Sequence, residues 1–304
     1  MDEIETKSTY IVAFIDILGF KNIVSDYFSS KNKQSFITLE KALQASEEFA
    51  IDFSRNHLKQ FNIDVLYKQF SDCVSISIPI NGKTGDDFLG IFGAFINIVR
   101  LYQYILFDNN ILVRGGISIG QHIENDNMIF SEALIQAYKF ESEKAIYPRI
   151  LIDMQLIALV DSILKEKPES YNQFYTLYGW KLITDWDNEI FITPFGLIQE
   201  AKLSYADTKG DDQLRAELSN SSRFVKEEVN VTDIRNAVKN MDENDKMNNW
   251  LERTKKYLTD NSDIKTEIML KHKWLQQFIR WSINNEDSEI KFQQYYKKPQ
   301  EKGQ

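Results

Sequence analysis

Two aspartates lie where a carboxylate needs a partner. Asp16 is near the end of the apolar run Tyr10–Leu18 (YIVAFIDIL), and a lone buried carboxylate is costly unless a cation or metal ion pairs with it. Asp72 lies in the short polar break Ser71-Asp72 between two apolar stretches. Two carboxylates that meet can hold two divalent ions about 4 Å apart, an arrangement used for in-line displacement at phosphorus. The sequence therefore predicts a two-metal site at Asp16 and Asp72.

The segment after Asp16 offers a place for phosphate. Gly19 ends the apolar run and permits a tight turn. In such a turn the backbone amides of Leu18, Gly19 and Phe20 form a nest that binds phosphate oxygen atoms. We also expect the Ile17 carbonyl to be a metal ligand beside the two carboxylates.

Both aspartates also have an ordinary structural interpretation. Asp16 would cap a helix that begins near residue 20. Asp72 would be a plain turn residue, because Asp is common in turns. With these interpretations the chain would be a structural or interaction protein.

The spacing of apolar residues predicts the elements that position these side chains. Their order is β-α-β-β-α-β-α-β, which is typical of a ferredoxin-like split βαβ core of the α+β class. In that core the first strand neighbours the hairpin, so Asp16 and Asp72 meet at one end of the sheet. The expected strands are Tyr10–Leu18, Ile63–Phe70, Val74–Ile80, Ile111–Gly120 and Ile150–Asp153, the helices are 33–60, Asp86–Phe107 and Glu132–Ser142, and Gln121–Asn127 is a polar turn.

After about residue 200 the sequence becomes more polar and then helical. We expect a first domain over residues 1–200 and a helical C-terminal extension over 201–304. Residues 233–260 and 263–284 show helical spacing, and the second carries an aromatic stripe that includes Trp274 and Trp281. This stripe predicts packing on a core or across a dimer.

Composition and charge restrict the class of protein. Of 304 residues, 43% are hydrophobic and 27% are charged, which is typical of globular proteins. A net charge of −9 argues against a nucleic-acid partner. Cys73 is the single cysteine, which excludes an intrachain disulfide, and we expect it to be a small buried apolar residue. No signal peptide or apolar run of about 20 residues is apparent, so we expect a cytoplasmic protein without a membrane partner.

Four segments, in order, resemble the catalytic domain of class III adenylate and guanylate cyclases. They are FIDILGF (14–20), KQFSDCVSIS (68–77), VRGGISIGQ (113–121) and SEALIQAYKFE (131–141), and the resemblance covers about residues 10–155. It implies that Asp16 and Asp72 bind two Mn²⁺ or Mg²⁺ ions and that Lys68 contacts the base of a nucleoside triphosphate.

The chain departs from that family at three positions. The transition-state Asn of the family falls on Ile135, which cannot form hydrogen bonds, and its Arg falls on Lys139, which keeps the charge without the planar fork. A base-reading polar residue falls near Met128. These departures put recognition of purines in doubt.

The whole pattern is more similar to the bacterial pyrimidine cyclases of the Pycsar antiphage system. The further cues are an A-L-x-x-A-Y-x-x-E helix and the following YPRI (147–150), where the helix residues are Ala133, Leu134, Ala137, Tyr138 and Glu141. This resemblance implies a homodimeric enzyme that converts UTP or CTP to cUMP or cCMP and pyrophosphate, as a second messenger in antiphage defence.

A cation must also lie near the α-phosphate. The candidates are Lys139, Arg114 and Arg149, in that order, and either arginine also has an interpretation as a structural ion-pair partner. For the base pocket we predict Tyr67 and Lys68, although a strand tyrosine is commonly part of a core.

Two other functions compete with the cyclase. Ile135 and Lys139 favour a non-catalytic sensor in which the fold only binds a nucleotide, whereas retention of Asp16 and Asp72 argues against it. A palm-type polymerase or diguanylate cyclase is disfavoured because the sequence lacks a Gly-Gly-acidic-acidic-Phe hairpin.

Overall fold

The structure is a computed structural model that describes residues 8–29, 31–125, 127–196, 242–260, 265–284 and 291–299. The chain forms two compact units, residues 1–193 with 290–304 and residues 194–289. The predicted helices at 233–260 and 263–284 begin outside the described residues.

A mixed sheet is the framework of the first unit. Among the described residues it has nine strands in the order β2-β3-β1-β4-β6-β8-β7-β9, with β5 paired to β4. All pairs are antiparallel except β4 with β6. The strands are β1 Ser8–Ile17, β2 Leu66–Phe70, β3 Cys73–Pro79, β4 Val113–Glu124, β5 Ile129–Ser131, β6 Ile150–Ile152, β7 Leu182–Thr184, β8 Ile190–Ile192 and β9 Gln293–Gln294.

Helices pack on both faces of this sheet. Residues of α2, α3 and α5 join the main apolar core on one face, while α4 packs on β1 and β4. The helices of this unit are α1 Phe20–Phe28, α2 Lys33–His57, α3 Gly85–Asp108, α4 Glu132–Lys139, α5 Met154–Glu166 and α6 Tyr171–Leu177. The predicted α+β class is confirmed.

The alternation of side chains along β1 separates the two faces. Ile11, Ala13, Ile15 and Ile17 belong to the main core, so Asp16 points to the opposite face, where α4 packs. We call this the α4 face. Strand register assigns every second residue of β2, β3 and β4 to the same side.

Several predicted boundaries were wrong. Strand β4 continues to Glu124, because Gln121 pairs with Thr9 of β1 and Glu124 pairs with Ile129 of β5, so the expected turn at Gln121–Asn127 begins later. The helix predicted over Glu132–Ser142 is α-helical only to Lys139 and then forms a π-helical turn, Phe140–Lys144.

Helix α3 is the central helix of the core. By length and composition alone, it is long and apolar enough to span a membrane. This finding corrects the expectation that the chain has no apolar run of about 20 residues. However, 72% of its most apolar 18-residue window is buried inside the protein. Side chains such as Phe92, Phe95 and Tyr102 pack in the main core, which explains the composition.

The second unit contains two described helices, α7 Glu243–Asp260 and α8 Thr266–Asn284. The aromatic stripe of α8 packs inside this unit, with Trp274 and Phe195 both stacked on Phe278. Residues 291–299 return to the first unit, where β9 pairs with β7. The domain boundary at residue 200 falls outside the described residues and stays a prediction.

Candidate functional site

Strand pairing brings the two aspartates together. Asp16, next to last in β1, lies between Cys73 of β3 and Arg114 of β4. Asp72 lies in the β2–β3 turn, and its carbonyl oxygen accepts a hydrogen bond from the Ile17 N–H at 2.9 Å. One carboxylate oxygen of Asp16, one of Asp72 and the Cys73 Sγ all lie within 4.8 Å of one another.

The interpretation of Asp16 as a helix cap is wrong. Helix α1 does begin at Phe20, but its N-cap residue is Gly19, and no side chain caps it. Asp16 is a strand residue whose side chain is 18% exposed. The carboxylate therefore needs a different partner from the helix amides.

The hairpin tip holds Asp72 through an unusual backbone. Ser71 has φ 59°, in the left-handed region that favours glycine. A non-glycine residue in such a conformation costs of order 1–3 kcal/mol, and such strain is concentrated at functional sites. The two-residue turn places Asp72 next to the end of β1.

A guanidinium bridges Asp16 to a second acid. Arg114 Nε lies 3.3 Å from Asp16 Oδ2, and Arg114 Nη2 lies 2.7 Å from Glu141 Oε1. Glu141, on the π-helical turn, is 4% exposed in its side chain. Sequence reasoning missed this role of Glu141. Its signal was a position four residues after the buried Ala137, on the helix face that packs against the sheet.

Cys73 is not the plain buried residue expected from the sequence. Its thiol is half-buried and lies 3.8 Å from Asp16 Oδ1 and 3.7 Å from Asp72 Oδ1. Burial, together with the negative charges of these two aspartates, raises the pKa of the Cys73 thiol to about 12. The protonated thiol gives both carboxylates only a weak hydrogen-bond donor.

The donor set of this cluster fits a divalent metal ion. Within the part of the chain that the structure describes, Asp72 has no ion pair with a cation, and Asp16 shares Arg114 with Glu141. Carboxylate oxygen atoms are the ligands that Mg²⁺ and Mn²⁺ prefer. Asp16 and Asp72 would hold such an ion.

The turn after β1 is partly free to bind an anion. Gly19 has φ 81°, and a side chain there would meet no atom within 4 Å. It precedes α1, whose first amides have no partner within the helix and attract anions. The Leu18 amide, however, donates to the Leu112 carbonyl at 2.8 Å. Of the three expected phosphate donors, Leu18 is therefore already used by the backbone.

The two residues predicted for the base pocket lie on opposite faces of the sheet. Lys68 is opposite Ser75 and shares the α4 face with Asp16. Tyr67 points into the main core, where its ring lies 6.5 Å from that of Tyr102 and burial raises its pKa. The structure does not bring Tyr67 to the aspartates.

Lys68 lies within a polar cluster on the α4 face. Its Nζ donates to the Asn125 carbonyl and lies 3.7 Å from Glu124 Oε1. Glu124 Oε2 lies 2.9 Å from both Ser77 Oγ and His122 Nε2. We predicted no role for His122 from the sequence. In the structure this residue is 1% exposed and belongs to the polar cluster.

The remaining candidate cations differ in their surroundings. Lys139 is exposed at the end of α4. Arg149 is fully buried, and its guanidinium pairs with Asp185 at 2.6 Å and with Asp187. These contacts support the structural interpretation of Arg149.

Neither a protein-family profile nor a curated protein sequence matches the chain. The solved structures that resemble it include guanylyl and adenylyl cyclases. The monomeric guanylyl cyclase domain of the RhoGC fusion protein from the aquatic fungus Blastocladiella emersonii is 14% identical, with a TM-score of 0.38 over 62% of this chain and 95% of that one. A rhodopsin-guanylyl cyclase core with converted specificity, in complex with ATPαS, is 15% identical, with a TM-score of 0.38 over 62% and 96%. A bacterial light-regulated adenylyl cyclase is 12% identical, with a TM-score of 0.32 over 70% and 56%. Because these similarities are distant, we base the function on the site residues.

Proposed function

We propose that the protein is a cytoplasmic nucleotidyl cyclase that converts UTP or CTP to the 3′,5′-cyclic monophosphate and pyrophosphate. The observation that carries this proposal is the convergence of Asp16 and Asp72 beside the Gly19 turn and the N-terminus of α1. In this proposal, one end of the sheet combines ligands for divalent ions with a place for phosphate.

Each part of this site has a role in the proposed reaction. Asp16, Asp72 and the Ile17 carbonyl would hold two Mn²⁺ or Mg²⁺ ions, which lower the pKa of the ribose 3′-hydroxyl and offset the charge of pyrophosphate. The amides of Gly19 and Phe20, at the start of α1, hold the β- and γ-phosphates. Most of the acceleration then comes from positioning and charge neutralisation, as in other phosphoryl transfers.

A second copy of the chain completes the site in this proposal. Lys139 is exposed at the end of α4, from which it would reach the α-phosphate in a partner subunit. Large apolar side chains near α4 are exposed, as expected for a surface that a partner covers. They are Met128 (53% exposed), Phe130 (69%), Ile135 (58%) and Tyr138 (52%). We therefore propose a homodimer.

The preference for a pyrimidine rests on the sequence resemblance and on Lys68. The Lys68 side chain is 28% exposed and shares the α4 face with Asp16. Its ammonium group is therefore the candidate contact to a carbonyl of the base. The resemblance also carries the proposed role of the product as a second messenger in antiphage defence.

Product analysis tests the proposal. Purified protein is incubated with Mn²⁺ and each of ATP, GTP, CTP and UTP, and products are identified by mass. We expect a cyclic pyrimidine monophosphate that is absent with Asp72→Ala. The control variant Asp64→Asn removes an exposed carboxylate just before β2, and we expect it to form the same product as the wild type. Nucleotide binding without pyrophosphate release from any substrate would instead identify a sensor.

A further inference from the structure

Glu141 contacts the same guanidinium as Asp16 but lies deeper in the protein. Its side chain is 4% exposed, whereas those of Arg114 and Asp16 are 25% and 18% exposed. Gly116 makes this approach possible, because a Cβ there would lie 2.3 Å from the Ala137 carbonyl oxygen and 2.6 Å from the Phe140 Cβ. The absence of a side chain at Gly116 lets the end of α4 and the following π-helical turn pack directly on β4.

An arginine beside a metal ligand creates an electrostatic problem. Its positive charge repels a divalent ion at Asp16, and that repulsion is strong where little water intervenes. Asp16 and Asp72 carry two negative charges, which Arg114 alone would reduce to a net charge of −1. With Glu141 the four side chains return to a net charge of −2.

We propose that Glu141 is a positioning residue that balances the charge of Arg114, so that the guanidinium orients Asp16 without expelling the metal ion. Glu141 acts through Arg114 and touches neither metal nor substrate. The inference rests on the proposed function, because it assumes that Asp16 and Asp72 bind a divalent ion. It goes further in assigning a role to an acid outside the metal ligands.

Measurement of Mn²⁺ affinity tests this role without any need for turnover. Mn²⁺ is titrated into the wild type, Glu141→Gln and Glu143→Gln, and the free Mn²⁺ is measured by electron paramagnetic resonance. We expect Glu141→Gln to weaken Mn²⁺ binding about a hundredfold or more, as the loss of one unit charge within about 10 Å of a divalent ion does at an effective dielectric constant of about 20. Glu143 is an exposed acid on the same π-helical turn, so Glu143→Gln is expected to change the affinity less than about twofold.

Two further variants separate a charge effect from a folding effect. Glu141→Asp keeps the charge and is expected to retain most of the affinity. Arg114→Gln combined with Glu141→Gln keeps a net charge of −2 and leaves no buried charge unpaired, so it is expected to bind Mn²⁺ about tenfold or more tightly than Glu141→Gln, while the lost orientation of Asp16 keeps its affinity below that of the wild type. If Glu141→Gln alone does not fold, the double variant is compared with Arg114→Gln, which keeps the Glu141 charge and is expected to bind Mn²⁺ about tenfold or more tightly than the double variant.

The outcomes distinguish this inference from the proposed function. Unchanged Mn²⁺ affinity in folded Glu141→Gln, an equal loss in Glu143→Gln, or a double variant that binds Mn²⁺ no more tightly than Glu141→Gln would overturn the role of Glu141. A wild type that binds Mn²⁺ at Asp16 and Asp72 but forms no cyclic product would contradict the cyclase and leave the charge-balance result valid.

Discussion

Arg114 and Arg149 each lie between two carboxylates, but their surroundings differ. Arg149 is fully buried and lies near the rings of Tyr147 and Phe191, at 5.3 and 6.0 Å. Arg114 is 25% exposed, at the end of the sheet where β1 meets the hairpin. The same ionic groups therefore form a closed cluster in one region and an open one in the other.

The carboxylates show what this difference means. Asp185 Oδ1 accepts the Trp186 N–H at 2.7 Å, and Asp187 Oδ1 accepts the Glu189 N–H at 3.2 Å, so both acids also fix the β7–β8 turn. Among the described residues, by contrast, Asp72 has only the weak Cys73 thiol as a side-chain donor, and Asp16 has that thiol and the Arg114 Nε–H at 3.3 Å. Acids whose oxygen atoms accept backbone N–H groups stabilise a loop, whereas an acid with no strong donor, as Asp72 is among the described residues, leaves its oxygen atoms available to a metal ion.

The largest effect is expected from the open cluster. Asp16→Asn removes a proposed metal ligand, so we predict a loss of turnover of about a thousandfold or more, equivalent to about 4 kcal/mol in activation free energy. The thermal unfolding midpoint should change little, since Asn keeps the shape of Asp. Turnover and unfolding are measured on the same preparation, with Asp64→Asn as the exposed control. Activity within tenfold of the wild type would place the metal site elsewhere.

The closed cluster should respond in the opposite way. Arg149→Met leaves two carboxylates without their buried cation, so we predict a loss of about 3 kcal/mol or more in the free energy of unfolding. Urea unfolding measures this loss. Arg55→Met is the control, because Arg55 is 62% exposed and pairs with Asp52 on a helix surface, where a change below about 0.5 kcal/mol is expected. Equal losses in the two variants would contradict the distinction.

The open site was accessible from the sequence because it depends on strong local patterns. An apolar run ending in an acid gave β1, and two apolar runs around Ser71-Asp72 gave the hairpin. The strand order then brought Asp16 to Asp72. The short strands β7, β8 and β9 were not predicted, because segments of two or three residues show no periodicity.

Register explains what the sequence left unpredicted at the site. The two-residue turn pairs Phe70 with Cys73 and Lys68 with Ser75, which assigns Lys68 to the α4 face and Tyr67 to the core. Helical spacing from Ala137 places Glu141 on the face toward the sheet, but it does not identify Arg114 as its partner. The π-helical turn that carries Glu141 was not predicted either, because its sequence continues the helical pattern.

A smaller effect is expected at the polar cluster around Lys68. Burial raises the pKa of Glu124, but hydrogen bonds from His122 and Ser77 and the charges of His122 and Lys68 outweigh it, so its pKa lies below the ordinary value. The carboxylate therefore stabilises the fold above its unfolded pKa of about 4.3, and this contribution is lost as the pH falls through the folded pKa.

Acid unfolding of Glu124→Gln tests whether the pKa of Glu124 is lowered in the folded protein. We predict that the variant is about 1 kcal/mol less stable than the wild type at pH 7 and that the difference shrinks as the pH falls below about 4. Unfolding free energies are compared across pH, with Glu143→Gln as the exposed control. A difference that grows on acidification would contradict the lowered pKa.

The smallest effect is expected at the hairpin tip. Ser71→Gly relieves the positive φ but has a larger entropy in the unfolded chain, so we predict a gain of about 0.5 kcal/mol in unfolding free energy, measured in urea. Ser71→Ala, which keeps a Cβ, should give no gain. A loss in the glycine variant would show that the Ser71 side chain stabilises the turn.

The position of bound Mn²⁺ tests the central claim most directly. Crystals grown with Mn²⁺ and a non-hydrolysable pyrimidine nucleotide would be measured for the anomalous scattering of manganese. We predict a peak within about 2.5 Å of carboxylate oxygen atoms of both Asp16 and Asp72, with phosphate against the Gly19 turn. Manganese bound elsewhere, with Asp16 paired only to Arg114, would contradict the assignment of this site.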